Sequence, residues 1–463
     1  MVKEKNEIGI KSIYNLNEIS KPKALILGFQ HMFAMFGATV LVPILTGLSV
    51  QTTLLMAGLG TLLFHLITGG KVPAFLGSSF AFIAGYHAIA GAPGSEGFNA
   101  ENLPYACGGV FVAGLVYVVV AGLIKLIGIK RVMRFFPPVV TGPIIICIGL
   151  ILAPVAISSI TREITRADGT SVPSGVNWVI ALAAILTIII CNIWARGMLK
   201  IIPILLGIIV GYVVALLFGV VNFSGLSGLS VVGLPIAKEN LMKFNASAII
   251  TMVPISLATM MEHVGDISAI SATVGKNYIA SPGLHRSLIG DGLATSFASI
   301  FGGPANTTYG ENTGVLVLTR VYAPRVMQIA AILAIIASFF PHIGAFILSI
   351  PGVVIGGVSL ILYGMISAIG VRNMVENSVD LTKSRNLIVA ALILVTGLGF
   401  NAVGGLNFNI GQAHISLSGL AVAALVGIIM NAILPGKDYE FSMEGAAEGI
   451  NGAPGEVEED AEV

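Results

Sequence analysis

Charge is scarce in this sequence. Only 10% of the 463 residues are Asp, Glu, Lys or Arg, against roughly 25% in an ordinary soluble domain, and a conventional water-soluble fold is excluded on that ground. Neither sign predominates: 24 Lys and Arg stand against 23 Asp and Glu, so no basic excess is available to neutralise a nucleic-acid backbone. Cysteine is nearly absent. Cys107, Cys147 and Cys191 lie singly inside apolar runs, without the paired spacing of a metal site or a disulfide framework, and each reads as a small core residue. There is also no Gly-x4-Gly-Lys-Ser/Thr loop, no His-Glu-x-x-His and no Gly-x-Ser-x-Gly elbow. Nothing here requires ATP, and neither an enzyme nor a bound cofactor or metal is expected.

What is abundant is apolar surface, 56% of the chain before its 56 glycines are counted. A hydrocarbon core about 30 Å thick takes about twenty helical residues to cross. Runs of that order fall at 24–47, 52–69, 74–91, 105–128, 137–156, 176–195 and 201–221, then at 247–274, 284–302, 305–320, 325–347, 351–370, 385–401 and 414–435. The composition predicts an all-α polytopic membrane protein of fourteen transmembrane segments. The first run is too long for a signal-peptide h-region and has no A-x-A site, so it is expected to remain as a span behind a 1–23 cytoplasmic segment carrying Lys3, Lys5, Lys11, Lys21 and Lys23. Residues 436–463 turn to Gly, Ala and acid and predict a disordered, acidic cytoplasmic tail.

Basic residues orient the spans. With the N-terminus inside, the inner connections carry Lys71; Lys125, Lys130, Arg131 and Arg134; Arg196 and Lys200; Lys276 and Arg286; Arg320 and Arg325; and Arg372, Lys383 and Arg385. Only Arg162, Arg166, Lys238 and Lys243 fall outside. The positive-inside rule then places both termini in the cytoplasm.

Short polar clusters recur in the two halves. Gln30-His31 in span one has its counterpart in Glu262-His263 of span eight, and Gly77-Ser78-Ser79-Phe80 in span three has its counterpart in Asn306-Thr307-Thr308-Tyr309 of span ten. Two units of seven spans must enter the membrane from opposite sides, which is the inverted-topology repeat of secondary transporters. Spans three and ten are predicted to be broken. Pro73, Gly77, Ser78 and Ser79 interrupt one, and Pro304, Asn306, Thr307, Thr308 and Gly310 the other, so each should hold a short extended segment leading into a half-helix. A half-helix N-terminus at mid-depth presents free N–H groups and a positive dipole end to a small solute.

The same region holds the intramembrane acids. Glu262 and Asp266 are four residues apart and share a helix face, Glu311 follows the break in span ten, and His263 points about 100° away from the acidic face. An acid near the bilayer centre costs on the order of 3 kcal/mol, so it needs a partner, a wet cavity or a proton. Asp291 in span nine and His31 in span one are open to either a packing or a functional reading. Carboxylate acceptors beside backbone donors suit a planar amide-imide ring, as in pyrimidines and oxopurines. Glu262 and Glu311 can accept its N–H groups, backbone amides near Phe80 and Gly310 can serve its carbonyls, and Phe80 or Tyr309 can stack on its face.

At these residues the sequence resembles the nucleobase-ascorbate transporter (nucleobase:cation symporter 2) family, and within it the bacterial uracil permeases. Glu311-Asn312-Thr313-Gly314-Val-Leu-Val-Leu-Thr319-Arg320 meets the family signature, and Gln30-His31, Ser78-Ser79-Phe80-Ala81-Phe82 and Glu262-His263-Val264-Gly265-Asp266 resemble its other hallmarks. The resemblance covers roughly 24–435. It implies a core domain of spans 1–4 (24–128) and 8–11 (247–347) that moves against a gate domain of spans 5–7 (129–221) and 12–14 (351–435), in a homodimer in the plasma (inner) membrane. It further implies import of a nucleobase by proton symport with alternating access. Glu262, Glu311, Phe80, Gly310 and Tyr309 match substrate-binding positions, and Asp266, Glu262, His31 and Glu311 are the proton-coupling candidates. Glu at position 311 favours uracil. Asp266, where some uracil-type members carry His, departs from that pattern. The rival readings are a xanthine or other purine permease of the same family and an anion carrier or channel of similar architecture, the latter disfavoured by two acids at the site.

Overall fold

A computed structural model of the chain describes residues 11–164, 170–223, 227–410, 413–436 and 439. The expected acidic tail, apart from Gly436 and Tyr439, lies outside the described residues, as do residues 1–10 of the N-terminal segment.

Helices dominate. The first half of the chain forms α1 (Lys21–Thr46), α2 (Val50–Ile67), strand β1 (Leu76–Ser78), α3 (Ile83–Ala90), α4 (Leu103–Ile127), the short α5 (Ile129–Met133), α6 (Pro138–Thr161), α7 (Ser174–Ile193), α8 (Met198–Ile201) and α9 (Pro203–Leu217). The second forms α10 (Ala246–Val274), α11 (Leu284–Ile300), β2 (Asn306–Thr308), α12 (Gly310–Thr319), α13 (Pro324–Ser338), α14 (Pro341–Leu348), α15 (Gly352–Glu376), α16 (Ser384–Ala402), β3 (Leu406–Ile410), β4 (Ala413–Leu417) and α17 (Gly419–Ile433). By length and composition, eight of the described helices can cross a membrane: α1, α2, α4, α6, α7, α10, α15 and α16. The pair α13–α14 would be a ninth but is bent by 84°, and α9 and α17 are apolar but shorter.

Two boundaries differ from the sequence reading. The run at 325–347 is not one helix, because Pro341 holds Phe340 in an extended conformation and a residue before proline is disfavoured in the α region. The run at 414–435 begins as strand β4, paired antiparallel with β3, and turns helical only after Ser418, whose side chain accepts from the Ala421 N–H. Elsewhere, helix ends follow local rules. Asn245 starts α10 by accepting from the amides of Ser247 and Ala248, and Gly275 ends it in the left-handed conformation at φ 75°.

The helices are apolar on both faces, and side-chain size separates the two. On α4, Leu115, Val119, Leu123 and Leu126 form an exposed stripe while Gly109, Ala113, Tyr117 and Ala121 are buried. That is the pattern of a helix with lipid on one side and close-packed protein on the other. α4 packs on α11 and α10, α2 on α13 and α11, α1 on α13, α6 on α15 and α16, α7 on α9 and α15, and α16 on α17. Glycine sets the closest approaches. A Cβ on Gly114 of α4 would lie 2.5 Å from the Gly292 carbonyl of α11, one on Gly58 of α2 would lie 2.6 Å from the Ala331 carbonyl of α13, and one on Gly370 of α15 would lie 2.6 Å from the Gly142 carbonyl of α6.

Candidate functional site

Buried extended backbone survives only where its polar groups are paired within the protein. β1 and β2 meet this requirement by pairing with each other. They run antiparallel in the register Leu76–Thr308, Gly77–Thr307 and Ser78–Asn306. Two flanking bonds lengthen the ladder, Ser79 N–H to Ala305 O at 2.8 Å and Tyr309 N–H to Phe75 O at 3.0 Å. Side chains from α2 and α11 satisfy the outer edges. Thr61 Oγ1 accepts from Leu76 N–H (2.9 Å), Thr295 Oγ1 donates to Asn306 O (2.7 Å), and Asn306 Nδ2 donates to Met56 O (3.0 Å). From this pair the chain enters α3 and α12, so two helix N-termini arise beside one small sheet. The first-turn N–H groups of α12, those of Gly310 and Glu311 included, have no intrahelical acceptor.

Tyr309 closes the sheet. Its hydroxyl donates to Ser78 O at 2.8 Å, Ser78 Oγ donates to Thr39 O at 2.8 Å, and its ring lies over Gly77, where an added Cβ would come within 2.5 Å of Cε2 and Cζ. Only glycine fits beneath that ring.

α10 brings the acids to the same place. Thr308 Oγ1 donates to Asp266 Oδ2 at 2.8 Å and lies 3.3 Å from His263 Nδ1, which is 3.1 Å from Asp291 Oδ2. His263 and Asp291 are fully buried. His263 Nδ1 thus stands between Asp291 and Thr308, and the Thr308 hydroxyl proton points at Asp266, so that a chain of close polar contacts runs across α11, α10 and β2. The α-carbon of Gly310 faces Asp266 Oδ1, with a Cβ there at 3.6 Å, the one heavy atom within 4 Å among the described residues. Glu262, Asp266 and Glu311 are partly exposed and within electrostatic reach of one another, and Glu311 folds back toward its own N–H.

The sequence-predicted site residues divide into two places. Glu262, Asp266, Tyr309, Gly310 and Glu311 converge where α10 passes the β2–α12 junction, and Phe80 sits at the matching β1–α3 junction. His31 sits elsewhere. It is fully buried in the α1–α12 contact, where Asn312 Nδ2 donates to His31 O at 3.1 Å and lies 3.2 Å from His31 Nδ1. His65 and His87 bond the carbonyls of Ala74 and Leu45 through Nε2. Sequence reading did not single out Tyr363 of α15, whose ring meets Phe80 edge-on with centroids 6.2 Å apart. Nothing in its local sequence distinguishes it. Thr308, the residue that links His263 to Asp266, was visible only as part of the recurring polar cluster.

Residues 22–434 match the model described as the Permease family, that of the nucleobase-ascorbate transporters. The chain belongs to this family. Among its relatives, a uracil permease of Bacillus caldolyticus is 44% identical over 418 residues, covering 89% of this chain and 92% of its own. A uracil permease of Bacillus subtilis is 41% identical over 442 residues, covering 94% and 97%. A probable uracil permease of Haemophilus influenzae is 41% identical over 417 residues, covering 90% and 95%. Solved structures share the permease's fold at low identity. The transmembrane domain of the cyanobacterial bicarbonate transporter BicA superposes with a TM-score of 0.56 at 15% identity, covering 88% of this chain and 96% of that one. The murine Solute Carrier 26 family member A9 anion transporter gives 0.61 at 11%, covering 90% and 69%.

Proposed function

We propose that this permease imports uracil across the plasma (inner) membrane by proton symport with alternating access. The observation that carries the reading is the pairing of acceptors and donors at one place: the carboxylates of Glu262 and Glu311 stand beside the open N-terminus of α12 at Gly310. A uracil ring offers N–H groups to the first and C=O groups to the second. Phe80 supplies the corresponding amide at the head of α3, and Tyr309 presents its ring. The relatives named as uracil permeases, 41–44% identical over nearly their whole length, support uracil over xanthine. An anion, as carried by the structural neighbours, would meet the acids Glu262, Asp266, Asp291 and Glu311.

Those four acids also support proton coupling. Holding that many negative charges together at membrane depth is costly, and uptake of a proton by the Glu262/Asp266/Glu311 group as uracil docks relieves it. His31, packed against Asn312, is a candidate for positioning the signature helix rather than for handling the proton directly.

The element order supports fourteen crossings when β1–α3, β2–α12 and α13–α14 each count as one. The packing supports the 7+7 repeat, because pairs recur when each span is exchanged for its counterpart seven along: α4 on α11 with α2 on α13, α10 on α4 with α1 on α13, α7 on α9 with α16 on α17, and α15 on α7 with α16 on α6. β1–β2 and α6–α15 map onto themselves. In this reading residues 24–128 and 247–347 form the moving core, 129–221 and 351–435 the gate, both termini are cytoplasmic, and two copies associate.

The test is uptake of labelled uracil into proteoliposomes with and without an inward proton gradient, with unlabelled xanthine as competitor. Gradient-driven accumulation that xanthine does not suppress is expected. No uracil uptake, or suppression by xanthine, would move the substrate to purines.

A further inference from the structure

We propose that the connection between α4 and α6 binds the headgroups of anionic phospholipids. The proposal rests on the reading above, in which this connection joins core to gate on the cytoplasmic side. Its chemistry is one-sided. From the last turn of α4 through α5 to Pro138 the chain carries Lys125, Lys130, Arg131 and Arg134 and no acid, and all four are exposed. Arg286, also exposed, joins them from the first turn of α11, which packs along α4; the cations of Lys125 and Arg286 both lie within electrostatic reach of His285. Among the described residues, none of these five cations has a carboxylate within ion-pair distance.

Apolar surface borders the cations. Leu123, Leu126, Ile127 and Phe135 are exposed, Leu126 by 82%, while Val132, Met133 and Phe136 are buried and anchor the connection to the protein. A free phosphate satisfies only the charges. A phospholipid satisfies both, with its acyl chains against Leu126 and Phe135 and its phosphate among the cations, which is the layout of a juxtamembrane basic segment on an anionic leaflet. A negatively charged headgroup is selected because a zwitterionic one offers no net charge to five cations that have no carboxylate partner among the described residues.

The experiment uses the full chain, purified and placed in phosphatidylcholine vesicles with or without phosphatidylglycerol, and reads the melting midpoint together with lipid retained in native mass spectrometry. Phosphatidylglycerol is expected to raise the midpoint of the wild type and of a control variant, R196Q/K200Q, altered in a different basic connection. In K130Q/R131Q/R134Q the apparent affinity for phosphatidylglycerol should fall about fivefold per cation removed. An unchanged response in that variant, or no response in the wild type, overturns the proposal. Equal stabilisation by inorganic phosphate does so too, by showing a simple anion site. Should the triple variant fail to fold, K125Q/R286Q is judged by the same criteria. Uracil uptake in the same vesicles reports separately on transport: uptake without a lipid response sinks only this proposal, whereas a lipid response without uptake sinks only the transport reading.

Discussion

Thr308→Val is the sharpest probe of how the acids are organised. Thr308 is 1% exposed, and its hydroxyl joins Asp266 (2.8 Å) to His263 (3.3 Å), whose Nδ1 is 3.1 Å from Asp291. Valine keeps the β-branched shape that β2 needs opposite Leu76, so the strand pair should survive while the hydroxyl is lost. Leaving a buried polar group without its hydrogen bond costs about 1–3 kcal/mol, which is about fivefold to about a hundredfold in an equilibrium constant. The loss falls on the carboxyl group that faces Gly310. Uracil affinity, measured by calorimetry on purified protein, should weaken within that range, and proton-driven uptake should fall with it. Thr308→Ser, which keeps the hydroxyl, should restore most of both. Wild-type affinity and uptake in Thr308→Val would refute the chain from Asp291 to Asp266 as part of the site. Equal loss in Thr308→Ser and Thr308→Val would mean that packing of the γ-methyl, and not the hydrogen bond, is what matters.

Glu311→Gln replaces a carboxylate acceptor by an amide and should weaken uracil binding by about tenfold or more; unchanged affinity would remove Glu311 from the site. Tyr309→Phe deletes the 2.8 Å bond to Ser78 O but keeps the ring, so thermal stability should drop by about 1 kcal/mol while uracil affinity changes little, and a large affinity loss would show that the hydroxyl itself contacts substrate. Asn312→Ala removes both contacts to His31 and should cost about 1–3 kcal/mol, read as a lower melting midpoint; a wild-type midpoint would count against Asn312 as the link between α1 and α12. Gly114→Val places side-chain atoms against the Gly292 carbonyl and should separate α4 from α11, with folded yield after detergent extraction as the measure and normal yield as the contrary result.

Much of this protein was legible in its composition and spacing because a bilayer makes uniform demands. A chain with 10% charge and 56% apolar residues can bury itself only in lipid, and the breaks at Pro73–Ser79 and Pro304–Gly310 are visible because proline, serine and asparagine are poor helix formers. The acids stood out because an ionisable residue in an apolar run is expensive. Local pattern cannot say what those features meet. That β1 pairs with β2 across 228 residues of chain, from Ser78 to Asn306, is a matter of which free backbone groups lie within reach after the helices pack. Asp291 was open to two readings, and the packing of α10 near α11 put it 3.1 Å from His263. His31, equally conspicuous in sequence, went instead to the α1–α12 contact. Tyr363 had no local signal, since its meeting with Phe80 depends on where α15 comes to lie against the β1–α3 junction. The sequence by itself determined the apolar setting and most of the helices, each fixed by a single segment's own chemistry, but not the bend between α13 and α14 or the β3–β4 pair. Only the tertiary structure decided which acids share a site and which residue joins them, because those distances depend on how helices far apart in the chain come to lie side by side.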